Sequence, residues 1–168
     1  MSITTTSSNT YVLATLVAAA TAAGASAISL SLALPVWAMF IGWIAFYTRG
    51  LSVRSTIENL ACVGTGLLLG LVATLTLQAL SGTTGPAWAL PLVVFVVAIV
   101  VVSLRGLPVM SNLLAYFLGL VAWFAAHLEP SFESVGKLLG AGALGSTAGW
   151  ISHTVSTRLS RAATSPAH

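Results

Sequence analysis

Phe40-Ile41-Gly42-Trp43-Ile44-Ala45-Phe46-Tyr47 returns later in the chain as Phe117-Leu118-Gly119-Leu120-Val121-Ala122-Trp123-Phe124. Phenylalanine, glycine and alanine recur identically 77 positions on (Phe40 with Phe117, Gly42 with Gly119, Ala45 with Ala122), and the other pairs are apolar or aromatic exchanges. Both copies follow a Leu-Pro-Val, at Leu34-Pro35-Val36 and Leu107-Pro108-Val109. Both precede a glycine-rich segment, Gly64, Gly66 and Gly70 after the first and Gly140, Gly142 and Gly145 after the second, at offsets of 76 and 75. The shared order reads as an old duplication in which loop insertions have shifted the spacing. Internal repeats of this kind mark transporter-type membrane folds.

Composition decides the solvent around that repeat. The 168 residues are 57% hydrophobic and 5% charged, with a mean hydropathy of +1.00. A soluble domain carries roughly 25% charged residues, so the chain is expected to be integral to a lipid bilayer. Cys62 is the one cysteine, which excludes an internal disulfide and a thiolate metal set. The net charge of +3 rests on six scattered basic residues, a pattern that excludes a nucleic-acid partner.

Six apolar segments follow, over residues 11–31, 34–48, 57–80, 87–104, 108–127 and 133–156. Residues 1–10 read as a disordered Ser/Thr-rich tail, 11–80 as the first three-helix repeat, 87–156 as the second, and 157–168 as a polar cytoplasmic tail. Ser81-Gly82-Thr83-Thr84-Gly85-Pro86 reads as the uncharged loop between the halves. The second segment is short for a hydrocarbon core of about 30 Å. Ala25-Ser26-Ala27 resembles a cleavage site, but Met1 to Thr10 contains no Lys or Arg, and the first segment reads as a retained helix. The β-branched run Val93 to Val102 reads as helix, because an unpaired strand cannot cross lipid.

Charge orients the six spans. Arg49, Arg54, Arg105, Arg158 and Arg161 fall on alternate connections and the tail, whereas Glu129, Glu133 and Lys137 fall on the other side. The Lys/Arg bias places both termini in the cytoplasm. Three spans per half then give halves of opposite polarity. The expected fold is an all-α polytopic membrane protein whose six transmembrane helices form two inverted three-helix repeats. Gly42 and Gly119 would lie close together near the pseudo-two-fold axis.

The aromatic-glycine block after a short first helix, the glycine-rich last helix and the length resemble the bacterial inner-membrane family catalogued as domain of unknown function 1097. The resemblance covers most of residues 11–155. It implies a small polytopic inner-membrane protein and brings no catalytic or binding residues with it.

The remaining polar residues are few. Arg54 and Glu58 are spaced for an i,i+4 ion pair, as are Glu133 and Lys137. His127 and Glu129 lie at the outer interface, and His153, near the cytoplasmic end of the sixth segment, reads as a hydrogen-bonded histidine, with a pH-sensing group as the alternative. Asn59, Thr65, Thr74, Thr76, Asn112, Ser146 and Thr147 lie deeper and are suited to hydrogen bonds between helices. Candidate path-lining residues are Phe40, Gly42, Phe46, Asn112, Phe117, Gly119 and Trp123; Asn112 is placed one turn into a motif helix. Candidate helix-packing residues are Gly66, Gly70, Gly142, Gly145 and Gly149, which allow close backbone approach. No phosphate loop, metal-binding helix or serine elbow is present, so no catalytic residue, metal or cofactor is expected. The function expected is transport, by a compact channel or facilitator for a small neutral or weakly polar solute. The alternative is a non-transporting membrane protein that stabilises a partner complex through its glycine faces. The small bundle leaves room for a homo-oligomer.

Overall fold

The computed structural model describes residues 8–164 as six α-helices: α1 Ser8–Ser31, α2 Val36–Thr48, α3 Val53–Thr84, α4 Pro86–Leu104, α5 Leu113–Ala126 and α6 Phe132–Thr164. No strand occurs among the described residues. Helix thus begins at Ser8, inside the segment expected to be disordered, and residues 1–7 lie outside the description. At the other end α6 continues through 157–164, so the described part of the expected tail is a helical extension.

Local chemistry sets most boundaries. Pro35, extended at φ −70°, precedes the first residue of α2, and Gly50 at φ 75° helps turn the chain after it. Ser52 then caps α3 by accepting the Ser55 amide at 3.1 Å. The expected six-residue loop after α3 collapses to Gly85, which takes φ 78°, and Pro86 opens α4 at once. Glycine tolerates that conformation, and proline's missing N–H is an orphan in any first turn. The fifth helix starts later than its hydropathy suggests. Asn112 is the N-cap of α5, its Oδ1 accepting the Ala115 amide at 3.3 Å, and residues 107–112 are not helical.

Length and composition qualify three helices to cross a membrane, within Thr10–Ser31, Val53–Gly82 and Ala87–Leu104. This falls short of the six transmembrane helices expected. Helices α2 and α5, with 13 and 14 residues, are only about 20 Å long at 1.5 Å per residue. Helix α6 has the length, with 33 residues, but its polar content keeps it out of the apolar class. It packs against α1, α2 and α3, which cover much of its surface. By contrast only 17% of the α4 span is buried, and Trp88, Val94, Phe95 and Val96 lie open on its surface. An apolar surface of that extent is at home in lipid, not water.

The most extensive contacts are α2 with α6, α3 with α5 and α1 with α6, followed by α3 with α6 and α3 with α4. Two groups result. One is α1, α2 and α6; the other is α4, α5 and α3. Each mixes the two halves of the chain, and the groups meet along a seam where α3 packs on α6 and α2 touches α3 and α5. The core around the seam includes Met39, Phe46, Val63, Leu67, Tyr116 and Leu138.

Candidate functional site

The glycines define the inside of each group. A Cβ at Gly42 would land on the carbonyl oxygen of Gly142, and one at Gly145 on the carbonyl oxygen of Met39. Gly149 lies under Phe46, with a 3.2 Å approach. In the other group a Cβ at Gly119 would land on the carbonyl oxygen of Val63, and one at Gly66 on that of Tyr116, while Gly70 lies under the Trp123 ring. These contacts correspond one to one. Met39, Gly42 and Phe46 map onto Tyr116, Gly119 and Trp123 at the motif offset of 77, and Val63, Gly66 and Gly70 map onto Gly142, Gly145 and Gly149 at an offset of 79.

The structural register of the last helices is therefore 79, in place of the 76 and 75 suggested by matching glycines. The correction slides α6 by about one turn. Gly66 and Gly70 correspond to Gly145 and Gly149, and the Gly142 equivalent is Val63. Gly42 and Gly119 do not pair with each other as their nearest neighbours, because each faces the glycine-rich helix of the other half. Gly66, Gly70, Gly145 and Gly149 each lie against backbone or a ring of the facing helix; Gly142 contributes its backbone to the contact, with only ordinary van der Waals neighbours around its own Cβ position.

The candidate path residues do not border a common opening. Phe46 and Trp123 are buried, the latter donating its indole N–H to Thr74 Oγ1 at 2.8 Å. Gly42 and Gly119 are closed by backbone. Phe40 and Phe117 point outward, 41% exposed each. Phe117 lines a lateral apolar cavity of about 190 Å³ with Val93, Val97, Leu120 and Phe124. Asn112 is buried at the seam.

The seam carries a polar cluster at one end. Asn59, fully buried, donates both amide hydrogens to carbonyls at the end of α2, Ala45 at 3.0 Å and Arg49 at 2.9 Å. Its Oδ1 accepts from Asn112 Nδ2 at 2.8 Å, and Asn112 also donates to Thr48 Oγ1 at 2.6 Å. The two amides thus satisfy one another, the last carbonyls of α2 and the first turn of α5. Arg49 extends the cluster outward, to Glu58 at 2.6 Å, Ser111 Oγ at 2.5 Å and the Val109 carbonyl at 3.0 Å. Arg54 joins Glu58 at 2.9 Å. The bonds of Asn59 to Ala45 and Arg49, of Arg49 to Glu58, Ser111 and Val109, and of Asn112 to Thr48 tie the α2 end to α3 or to the segment before α5, and Asn112–Asn59 joins that segment to α3.

Two arginine-bearing connections therefore lie side by side. His153 rests against Phe46 and Tyr47, with ring centroids 5.9 and 6.4 Å away, which brings the last third of α6 to the same end. Glu133 and Lys137, paired at 2.7 Å, are some twenty residues earlier on α6, about 30 Å away along the axis.

The i,i+4 ion pairs match their spacing. The involvement of Arg49 was not legible, since nothing in the sequence joins it to residues 109–111. Asn59 and Asn112 were visible singly as deep polar residues; their pairing was not, because the 77-residue repeat does not relate them. The Ser111-Asn112 step after Pro108 did carry a capping signal. Of the deep hydroxyls, Thr65, Thr76 and Thr147 bond back to their own helix, to the carbonyls of Ala61, Val72 and Ala143. Local carbonyls four residues back are always in reach and compete with a neighbouring helix. Ser146 does cross, to the Gly42 carbonyl at 2.8 Å. No group of three or more metal-binding side chains gathers among the described residues.

A family model described as "Protein of unknown function (DUF1097)" matches residues 12–157. No curated protein and no solved structure matches the chain.

Proposed function

The chain belongs to the DUF1097 family of proteins of unknown function, and we propose that it is an inner-membrane transport protein for a small neutral or weakly polar solute. In this reading the two groups form an inverted repeat, both termini are cytoplasmic, and the arginine-rich end faces the cytoplasm. The supporting observation is the reciprocal set of glycine contacts, in which Gly42 on Gly142 answers Gly119 on Val63 and Gly145 on Met39 answers Gly66 on Tyr116. Contacts that answer one another in this way are what a pseudo-two-fold axis relating α2 to α5 and α3 to α6 would produce, and transporters of this build move one bundle against the other around a central site.

The short helices fit the same scheme. Each is extended by a non-helical segment, 32–35 before α2 and 107–112 before α5. Non-helical backbone is tolerated at membrane depth where protein satisfies it. Ser29 Oγ donates to the Leu34 carbonyl at 3.1 Å, and Tyr116 Oη to that of Met110 at 2.9 Å.

Glycine packing makes each group a rigid body, so the path is assigned to the seam between groups and not to the two motif blocks. The Asn59–Asn112–Arg49 cluster is the cytoplasmic gate, closed in this conformation. The partner-stabilising alternative loses most of its glycine faces to internal contacts. Gly136 and Gly140, with nothing near their Cβ positions, are the face left for it.

Stopped-flow light scattering on proteoliposomes tests the reading with glycerol, urea and acetamide as probes. Protein should accelerate entry of at least one probe over empty liposomes, and Gly42→Val should abolish the gain. Identical rates for all three probes with and without protein would favour the partner reading.

A further inference from the structure

The two ends of the seam are built from corresponding positions and opposite chemistry. At the arginine-rich end the groups are latched by Thr48, Arg49, Asn59, Ser111 and Asn112. The offsets of 77 between α2 and α5 and of 79 between α3 and α6 carry these to Ala125, Ala126, Leu138, Leu34 and Pro35 at the other end. Each bonding side chain becomes one that cannot bond, and Pro35 lacks even its N–H. Leu138 is buried, with Leu34 and Ala126 packed half-buried against the core, so this end is closed by apolar contact.

The bonds this end does hold are local. Ser29 Oγ donates to the Leu34 carbonyl within one group, Trp123 to Thr74 Oγ1 within the other, and Ser134 Oγ to the Glu129 carbonyl inside the α5–α6 connection. Packing is unequal in the same sense. Helix α2 touches α3 at several points, whereas the equivalent pair, α5 with α6, is the sparsest helix contact among the described residues. Apolar side chains gain little from one another where lipid is the alternative, because lipid tails are as apolar as leucine. A bonded cluster differs: its members have to part together, and a buried amide or charge left unpaired costs more than its bond contributes.

We infer that the seam is hinged at the latch and parts first at the α5–α6 end, so that the resting protein opens its path on the side away from Arg49, the outer face in the orientation proposed above. The inference rests on the transport reading for the seam's being the moving joint, and its test reads distance, not flux. The latch is the fulcrum of the first movement and has to release only for the second.

Pulsed electron–electron double resonance on the full-length protein in liposomes tests it, in a Cys62→Ser background with no solute added. One spin-labelled pair, Trp37→Cys with Phe124→Cys, spans the seam from α2 to α5 at the α5–α6 end. The other, Leu114→Cys with Tyr47→Cys, occupies the equivalent positions at the latch, 77 residues away in each case. All four side chains are exposed. The pair at 37 and 124 should show a second component about 5 Å or more beyond the first, the scale of a one-turn displacement. The pair at 47 and 114 should show one narrow component, and Arg49→Gln should add a longer one to it. A longer component at 47 and 114 in the protein with Arg49 intact would overturn the hinge, as would an unchanged narrow distance there in the Arg49→Gln variant. Single narrow distances for both pairs would also overturn it. If protein of that kind still speeds entry of glycerol, urea or acetamide into liposomes, the hinge alone falls; if it speeds none of them, the transport reading falls with it.

Discussion

Gly42 and Gly142 face each other across the α2–α6 contact, yet alanine at the two positions should have opposite effects. A methyl on Gly42 would coincide with the Gly142 carbonyl oxygen and crowd its carbonyl carbon and Cα. Those are backbone atoms of a helix packed between α1, α2 and α3, so no side-chain rotation relieves the overlap. Overpacking of this kind costs about 1–3 kcal/mol and occasionally more, whereas glycine to alanine inside a helix returns about 1 kcal/mol. Because the overlap is with backbone that cannot yield, the cost takes the upper end of that range, and Gly42→Ala should lose about 2 kcal/mol net, a drop of roughly 4–8 °C in melting temperature for a chain of this size. A methyl on Gly142 would meet Leu60 Cδ1 at 3.8 Å and Gly42 Cα at 4.0 Å, both ordinary contacts. The equivalent position in the other group, Val63, already carries a larger side chain. Gly142→Ala should thus be neutral or stabilising by up to about 1 kcal/mol. The assay is thermal unfolding in one detergent, followed by far-UV circular dichroism. Equal melting temperatures for the two variants, or the reverse order, would refute the backbone contact as described.

The same contrast extends to α6: Gly145→Ala, aimed at Met39 and Trp43, should lower the melting temperature, and Gly140→Ala, with nothing within 4 Å, should not. Asn112→Asp keeps the cap acceptor but loses both donated bonds and sets a carboxylate against Asn59 Oδ1. It should cost about 2 kcal/mol or more, against under about 1 kcal/mol for the exposed Ser111→Ala, in the same unfolding assay. Arg49→Gln should speed amide hydrogen exchange over residues 107–111, since Arg49 ties Val109 and Ser111 to the end of α2 beside the Asn112–Thr48 bond; unchanged exchange would deny it a latching role.

Much of this architecture can be read from residue types. The repeat of Phe40–Tyr47 in Phe117–Phe124 located both short helices, and small residues at i,i+4 located the close crossings at Gly66–Gly70 and Gly145–Gly149. The register between the last helices escaped because glycines recur too often for matching to be unique; backbone contact, not identity, distinguishes Gly145 from Gly142. The start of α5 escaped because hydropathy does not register a cap, and Asn112 ends the non-helical segment through one side-chain bond. The latch was illegible for a different reason. Asn59 and Asn112 come together only once α3 and α5 are packed, and Arg49 reaches Ser111 across sixty-two positions of sequence.

Membrane sidedness of four connections tests the inverted arrangement most directly. In a Cys62→Ser background, single cysteines at Ser52, Gly82, Val109 and Glu129 sample the ends of α2, α3, α4 and α5. A membrane-impermeant maleimide applied to intact cells should label the cysteines at positions 82 and 129 at once, and those at 52 and 109 only after permeabilisation. Labelling of positions 52 and 109 on opposite sides, or of 52 together with 82, would contradict the crossing of α2 and α5 and with it the two opposed repeats.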